Sequence, residues 1–211
     1  MKFSKIDWLK MLLLCLLVFP AGCEGPDLTD PETIDRALLE AVERDELQEI
    51  RVKGLLLLCI PGSEKPYTGW VKETYGNGQV KSLGHLKKGT KNELWVAWHE
   101  NGRKREEIHF RDDVMDGPFS TWFPNGQKKA IGNIKEGEMD GRWSDWYENG
   151  RKSKVQNCKM GILISASVWM PDGEKCPVTG IVKGTGVLLE YNEDGTEKER
   201  HVFKDGVAVK D

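Results

Sequence analysis

The sequence predicts an all-β repeat protein: an extended, single-layer antiparallel β-meander of hairpins with one short N-terminal α-helix. Three columns of residues predict it. An Asn-Gly or Asp-Gly pair recurs with its glycine at Gly78, Gly102, Gly126, Gly150, Gly173 and Gly195, at intervals of 24, 24, 24, 23 and 22 residues. Four residues before each glycine stand Thr74, Trp98, Trp122, Trp146, Trp169 and Tyr191. Eleven residues after it stand Gly89, Gly137, Gly161, Gly184 and Gly206, with Asp113 as the exception. A fourth column, nine residues before the turn, holds Gly69, Gly117, Gly141 and Gly186, with Glu93 and Ile164 as exceptions. Columns that agree in phase at a fixed period mark a repeat architecture. Six repeats span about residues 67–206, and the fifth is the most decayed.

Each repeat reads as two strands around a turn. Asn-Gly between strand-like segments is a strong hairpin signal, and a two-residue turn there places both residues at positive φ. One hairpin alone is marginal in water, so successive hairpins must pair edge to edge. With strands about 4.8 Å apart, twelve of them would run roughly 55–60 Å.

The rest of the chain follows in order. The chain has 211 residues, a net charge of -3 and 31% charged residues. This balance lacks the basic excess of a nucleic-acid-binding domain. Residues 1–22 resemble an export signal: Lys2, Lys5 and Lys10 precede the nine-residue apolar run Met11–Phe19. That run is far short of the roughly 20 residues a spanning helix needs. Residues 23–50 read as a tether and an amphipathic helix from Pro31 to about Asp45. Asp30 suits the N-cap, and Ile34, Ala37, Leu38, Ala41 and Val42 form one apolar face. That face is expected to cap the open end of the array. Residues 51–211 form the repeat domain, which opens with a buried strand over Leu55–Ile60.

Two columns carry the binding hypotheses. The aromatic column is Trp98, Trp122, Trp146, Trp169 and Tyr191, spaced near 10 Å on alternate strands. A second column, Val71, Trp95, Phe119, Trp143, Ala166 and Leu188, lies three residues earlier. By strict alternation the two face opposite sides, unless a bulge unites them. The plain reading makes the rings the core of a thin sheet; the functional one is an exposed ladder for glycan or peptide. The basic stripe is Arg103, Lys104, Lys128, Lys129, Arg151 and Lys152. Its plain reading is a solvated face with acids alongside; its functional reading is contact with an anionic lipid surface, worth about 1 kcal/mol per cation.

Little points to catalysis. His85 and His109 hold a column that continues as Asn133 and Asn157, a polar strand position. No metal-ligand spacing, phosphate loop or nucleophile motif is present. The expectation is no enzyme activity, no catalytic residue, no metal and no cofactor. Cys158 and Cys176 fall on strands separated by one other, about 9–10 Å apart, so no disulfide is expected between them.

Two resemblances add to this. Asp-Gly-Arg-Trp-Ser-Asp-Trp-Tyr-Glu-Asn-Gly-Arg-Lys (140–152) and Trp-Val-Ala-Trp-His-Glu-Asn-Gly-Arg-Lys (95–104) resemble the bacterial variant of the MORN repeat, over about residues 66–206. The resemblance implies an elongated meander used for protein or lipid contact; proteins of this type are often labelled toxin–antitoxin system antitoxins. Ala21-Gly22-Cys23 resembles a bacterial lipobox, with Pro20 where leucine is usual. It implies acylation of Cys23 and a membrane-anchored lipoprotein of the cell envelope. The expected function is therefore a non-enzymatic, envelope-anchored scaffold. Its expected partner is a protein or an anionic lipid surface, not nucleic acid. An antitoxin that neutralises a partner toxin and a cell-wall glycan-binding module are the alternatives.

Overall fold

The computed structural model describes residues 28–52 and 54–209. The proposed signal and Cys23 lie outside the described residues.

Helix α1 (Pro31–Glu40) starts where its capping chemistry says. The Asp30 carboxylate accepts from the Thr33 backbone N–H at 2.8 Å and from the Thr33 hydroxyl at 2.7 Å, and Pro31 fills the first turn. The helix stops at Glu40, short of the expected Asp45. Ala41 is already extended at φ −71° and ψ 134°, because the chain drops into β1 (Val42–Glu43). Strand β1 pairs in parallel with β4 (Gly69–Thr74), at Val42↔Val71 and Glu43↔Lys72. It is this strand, not the helix, that covers the sheet edge. One 3₁₀ turn (Arg44–Glu46) leads on to a hairpin of β2 (Gln48–Val52) and β3 (Leu55–Cys59).

The main sheet then runs in chain order from β4 through β5 (Val80–Lys87), β6 (Thr90–Trp98), β7 (Lys104–Arg111), β8 (Val114–Trp122) and β9 (Lys128–Lys135). Strand β10 (Glu138–Met139) is a short stub on β9. The order resumes with β11 (Gly141–Trp146), β12 (Lys152–Lys159) and β13 (Ile162–Val168). It ends with β14 (Gly180–Val182), β15 (Thr185–Tyr191), β16 (Glu197–Lys204) and β17 (Val207–Val209). Apart from β1, every pair is antiparallel. The antiparallel meander of hairpins is as the repeat columns predicted; it is a single layer only in its middle, because both ends gain a second layer.

The turn types are exchanged relative to expectation. At the Asn-Gly turns only the glycine has positive φ, from 77° at Gly102 to 95° at Gly173. The Tyr75 N–H bonds Gln79 O and the Gly78 N–H bonds Tyr75 O, which is a three-residue loop closed by a glycine bulge. The two-residue turns with both residues at positive φ lie at the other end of each strand pair. Lys88-Gly89, Glu136-Gly137, Met160-Gly161, Lys183-Gly184 and Asp205-Gly206 fill them, and Asp112-Asp113 substitutes in one repeat. In each, the second residue also donates its N–H one hairpin back: Asp113 to Lys91 O at 3.0 Å, Gly137 to Met115 O at 2.9 Å and Gly161 to Met139 O at 2.9 Å.

The sheet has two faces and different cover along its length. On one face, here the helix face, Leu28 and Ala37 bury with Leu83 and Val96 against Trp70, Leu94 and Trp98. On the other, the hairpin face, Leu47 and Leu58 bury with Tyr67, Val71 and Leu86 against Trp95. At the C-terminal end the sheet rolls. Strand β14 has three residues and meets β13 at one register pair, Ala166↔Ile181. Beyond it, the Leu163 N–H reaches Gly206 O at 3.1 Å, and Lys154 of β12 reaches Glu190 of β15 at 2.5 Å. The roll encloses a core of Cys158, Leu163, Val168, Cys176, Ile181, Leu188 and Leu189. Cys158 and Cys176 are both free thiols. Cys176 sits before β14, in the segment where the fifth repeat loses its regular second strand.

Candidate binding interface

The two aromatic columns face opposite sides. A bulge does occur in every well-formed hairpin, but in the second strand, where it leaves the alternation of the first strand intact. Trp98 pairs with Lys104 and Ala97 with Glu106, so Arg105 is the extra residue. Lys81, Lys129, Ser153 and Lys198 are extra in the same way. A bulge puts two neighbouring side chains on nearly one side.

This geometry divides the predicted basic stripe three ways. Lys104, Lys128 and Lys152 stand opposite Trp98, Trp122 and Trp146 in the register. Lys104 Nζ also lies 5.7 Å from the Trp122 ring centroid, and Lys152 Nζ lies 5.7 Å from Trp169. Indole and ammonium therefore alternate across the helix face from Trp98 to Trp169. Such contacts are worth about 0.5–1 kcal/mol each when exposed. Lys104 is paired with Glu107; Lys128 is exposed. Arg103 and Arg151 leave the stripe for the turns, where Arg103 donates to Asn125 O and Arg151 to Pro171 O at 3.0 Å. Lys129 is a bulge residue, 5.7 Å from the Phe123 ring. Tyr191 keeps the register place of its column but faces Glu197 instead of a lysine, and its hydroxyl lies 3.1 Å from Cys176 Sγ. That hydrogen bond, then burial, pushes the tyrosine pKa up to about 12.

The hairpin face carries the other rings. Trp143 lies over Gly132, where an added Cβ would come within 2.0 Å of the indole, and stacks on Phe119 at 4.9 Å. Trp95 covers Gly84 in the same manner, at 2.1 Å. Glycine is required at both places because the ring crosses the strand at backbone height.

The turn glycines sit beside a side-chain ladder that spacing alone did not announce. The Asn101, Asn125 and Asn149 carboxamides each donate to the next hairpin's turn, at Pro124 O (2.8 Å), Glu148 O (2.9 Å) and Pro171 O (3.1 Å). The same side chains accept the N–H two residues on. Asp172 and Asp194 keep only the second bond, as a carboxylate must. Tyr75, His99 and Tyr147 form a parallel ladder, bonding the Trp98, Trp122 and Trp169 carbonyls at 2.8, 2.9 and 2.8 Å.

At the mouth of the roll, Lys154 lies between two carboxylates, Glu190 at 2.5 Å and Asp145 at 3.8 Å. Burial raises the Asp145 pKa against the pull of Lys154. Burial also works to raise Glu190, but the Lys154 hydrogen bond and charge outweigh it and hold Glu190 low. His85 packs edge-on against Trp70 at 5.2 Å, and burial lowers its pKa. His109 Nδ1 lies 3.1 Å from Pro118 O. Among the described residues, no three His, Cys, Asp or Glu side chains are placed to hold a metal.

A family model described as the MORN repeat variant matches residues 115–136, which is β8, its turn and β9. Repeats of this kind are generally associated with membrane or protein binding. No curated protein matches the chain.

Proposed function

We propose that the protein is a non-enzymatic scaffold that binds a protein or membrane surface through its repeat sheet. The observation that carries this is the alternation of Trp98, Lys104, Trp122, Lys128, Trp146, Lys152 and Trp169 across one face. Flat indoles supply apolar area, and the ammonium groups between them supply positive charge at a regular pitch. That combination suits an anionic surface with an apolar layer beneath it. The lipobox-like Ala21-Gly22-Cys23 supports a bacterial envelope lipoprotein anchored through Cys23, which would hold the sheet beside such a surface.

Two measurements test the two halves. Membrane fractionation with the mass of the N-terminal peptide tests the anchor; an acylated peptide starting at Cys23 is expected. Unprocessed Met1 in the soluble fraction would refute it and favour an intracellular, antitoxin-like role. Flotation with phosphatidylglycerol-containing vesicles tests the face. Substituting Trp122 and Trp146 with Ala together should reduce flotation of the unacylated chain, and equal flotation would exclude this ladder from lipid contact.

A further inference from the structure

A groove of about 590 Å³ lies on the hairpin face, between β3 and strands β4 to β7. Leu56 and Leu57 form one wall; Trp95, Ala97 and Phe110 form the floor; Arg105 stands beside them. A volume of this size is in the range that takes a small organic molecule.

Its charges are unevenly satisfied. Arg44 is paired with Glu49 at 2.5 Å and Lys81 with Glu73 at 2.7 Å. Lys91 Nζ lies over the rings of Trp95 and Phe110, at 4.5 and 5.1 Å. Arg105 has neither an ion pair nor a hydrogen bond among the described residues, and its Nε is buried without an acceptor. The indole N–H of Trp95, in the floor of the same groove, is also buried without one. Donors left without acceptors in a half-buried place cost stability, and an incoming acceptor recovers it. The apolar wall is equally unfinished, since Leu56 is 52% exposed. Arg105 is here because of the repeat: it is the bulge residue of its hairpin, turned to this face beside Glu106.

We infer that this groove binds a small organic acid, its carboxylate held by Arg105 and its apolar body laid between Leu56 and the Trp95 and Phe110 rings. The guanidinium fork matches a carboxylate in two parallel bonds, which a neutral amide cannot reproduce. Glu106, beside Arg105, and Asp113, farther along the lining, are the acids without an ion pair among the described residues that oppose such a ligand; Glu49 and Glu73 are paired.

The test is a ¹H–¹⁵N NMR titration of the full chain with 3-phenylpropionate and with 3-phenylpropanamide, followed at the Trp95 indole N–H and the Arg105 Nε–H. The acid is expected to shift both signals at up to about 10 mM, a fragment's range. The amide should bind at least about ten-fold more weakly, the loss expected for a charge-assisted pair. Arg105→Gln should abolish the preference for the acid while leaving the amide unchanged, and Glu106→Gln should tighten the acid. A melting curve of each variant matching the wild type keeps the comparison free of unfolding. Equal binding of acid and amide, an unchanged acid affinity in Arg105→Gln, or no shift with either probe would overturn the inference. So would binding of an acetylated tripeptide acid with none of 3-phenylpropionate, which would assign the groove to a peptide C-terminus.

Discussion

The two ends of the sheet and its middle are built on different principles. At the N-terminal end, α1 covers one face and the β2–β3 hairpin the other, and each encloses a cluster of buried apolar side chains. At the C-terminal end the sheet supplies its own second layer by rolling. Between Lys104 and Trp146 the buried side chains are Ile108, Ala130, Ile134 and Ser144, and none joins a cluster. The middle is held instead by contacts that repeat: ring on glycine, lysine beside tryptophan, carboxamide to the next turn. Burial thus fixes the ends, and periodic hydrogen bonding and stacking carry the fold between them. The match to the MORN repeat variant falls in this middle part. A repeat grammar describes what is periodic, and the caps are not.

The largest expected effect contrasts the two kinds of region directly. Leu83 is fully buried beneath α1. Leu83→Ala should cost about 2–5 kcal/mol. Ile131 sits on the same face in the middle of the sheet and is 36% exposed. Ile131→Ala should cost under about 1 kcal/mol. Urea denaturation of both variants checks the ranking, and equal losses would erase the distinction between capped and open repeats.

The next effect separates the roll from the flat sheet through pH. The fold raises the Asp145 pKa, so its contribution is fully present below the unfolded value and is lost as pH rises through the folded one. The fold lowers the Glu190 pKa, so its contribution is present above the unfolded value and is lost as pH falls through the folded one. Lys154 reconciles the two acids. Lys154→Met should destabilise by about 2–3 kcal/mol near neutral pH, because it leaves a partly buried carboxylate pair without its cation. The loss should shrink as pH falls through the acid range, first as Asp145 protonates and fully only below the lowered pKa of Glu190, where both acids are neutral. Thermal melts across pH check this; a loss that does not depend on pH would mean that the lysine acts only by packing.

The periodic part of the fold was legible because its signals are local. Each turn glycine, each strand and the aromatic column follow from residues a few positions apart. What stayed hidden depends on neighbours distant in sequence or on geometry that the same letters share. Asn-Gly serves both the two-residue turn and the three-residue loop with a glycine bulge, and only the register tells them apart. The column of Lys81, Arg105, Lys129 and Lys198 stands three residues after each turn glycine, in plain view, yet its face follows from a bulge. The decay of the fifth repeat was visible, but not that it would let β15 approach β12. Gln48–Val52, with only Ile50 and Val52 apolar, is a weak strand signal until β3 pairs with it.

A smaller effect isolates the turn ladder of the middle repeats. Asn125→Asp keeps the oxygen that accepts from the Gln127 N–H at 2.9 Å and removes the donor that reaches Glu148 O. The replacement also sets a negative charge against that carbonyl. The expected cost is about 0.5–1.5 kcal/mol, one hydrogen bond's worth. Asp194→Asn is its counterpart in the last repeat, where the side chain bonds only within its own turn; there the change should be near zero. Comparing the two by chemical denaturation tests whether the carboxamide matters as a link between hairpins. A similar cost at both positions would show that it acts only inside its own turn.

The smallest effect concerns the place where the second repeat breaks the glycine column. Glu93 holds φ 64° where the third and fourth repeats place Gly117 and Gly141, also at positive φ. A side chain in the left-handed region costs of order 1 kcal/mol, and glycine removes that cost. Glycine also loses more chain freedom on folding, by roughly 0.5–1 kcal/mol. The balance for Glu93→Gly is a gain of a few tenths of a kcal/mol at most, so the melting temperature should rise by about 1 °C or stay level. A clear fall would mean that the Glu93 side chain does something glycine cannot. The nearest candidate is its charge beside His85, which opposes the lowering of that histidine's pKa. In that case the His85 titration measured by NMR should move down in the variant, and the N-terminal end of the sheet would hold a charge contact as well as its buried clusters.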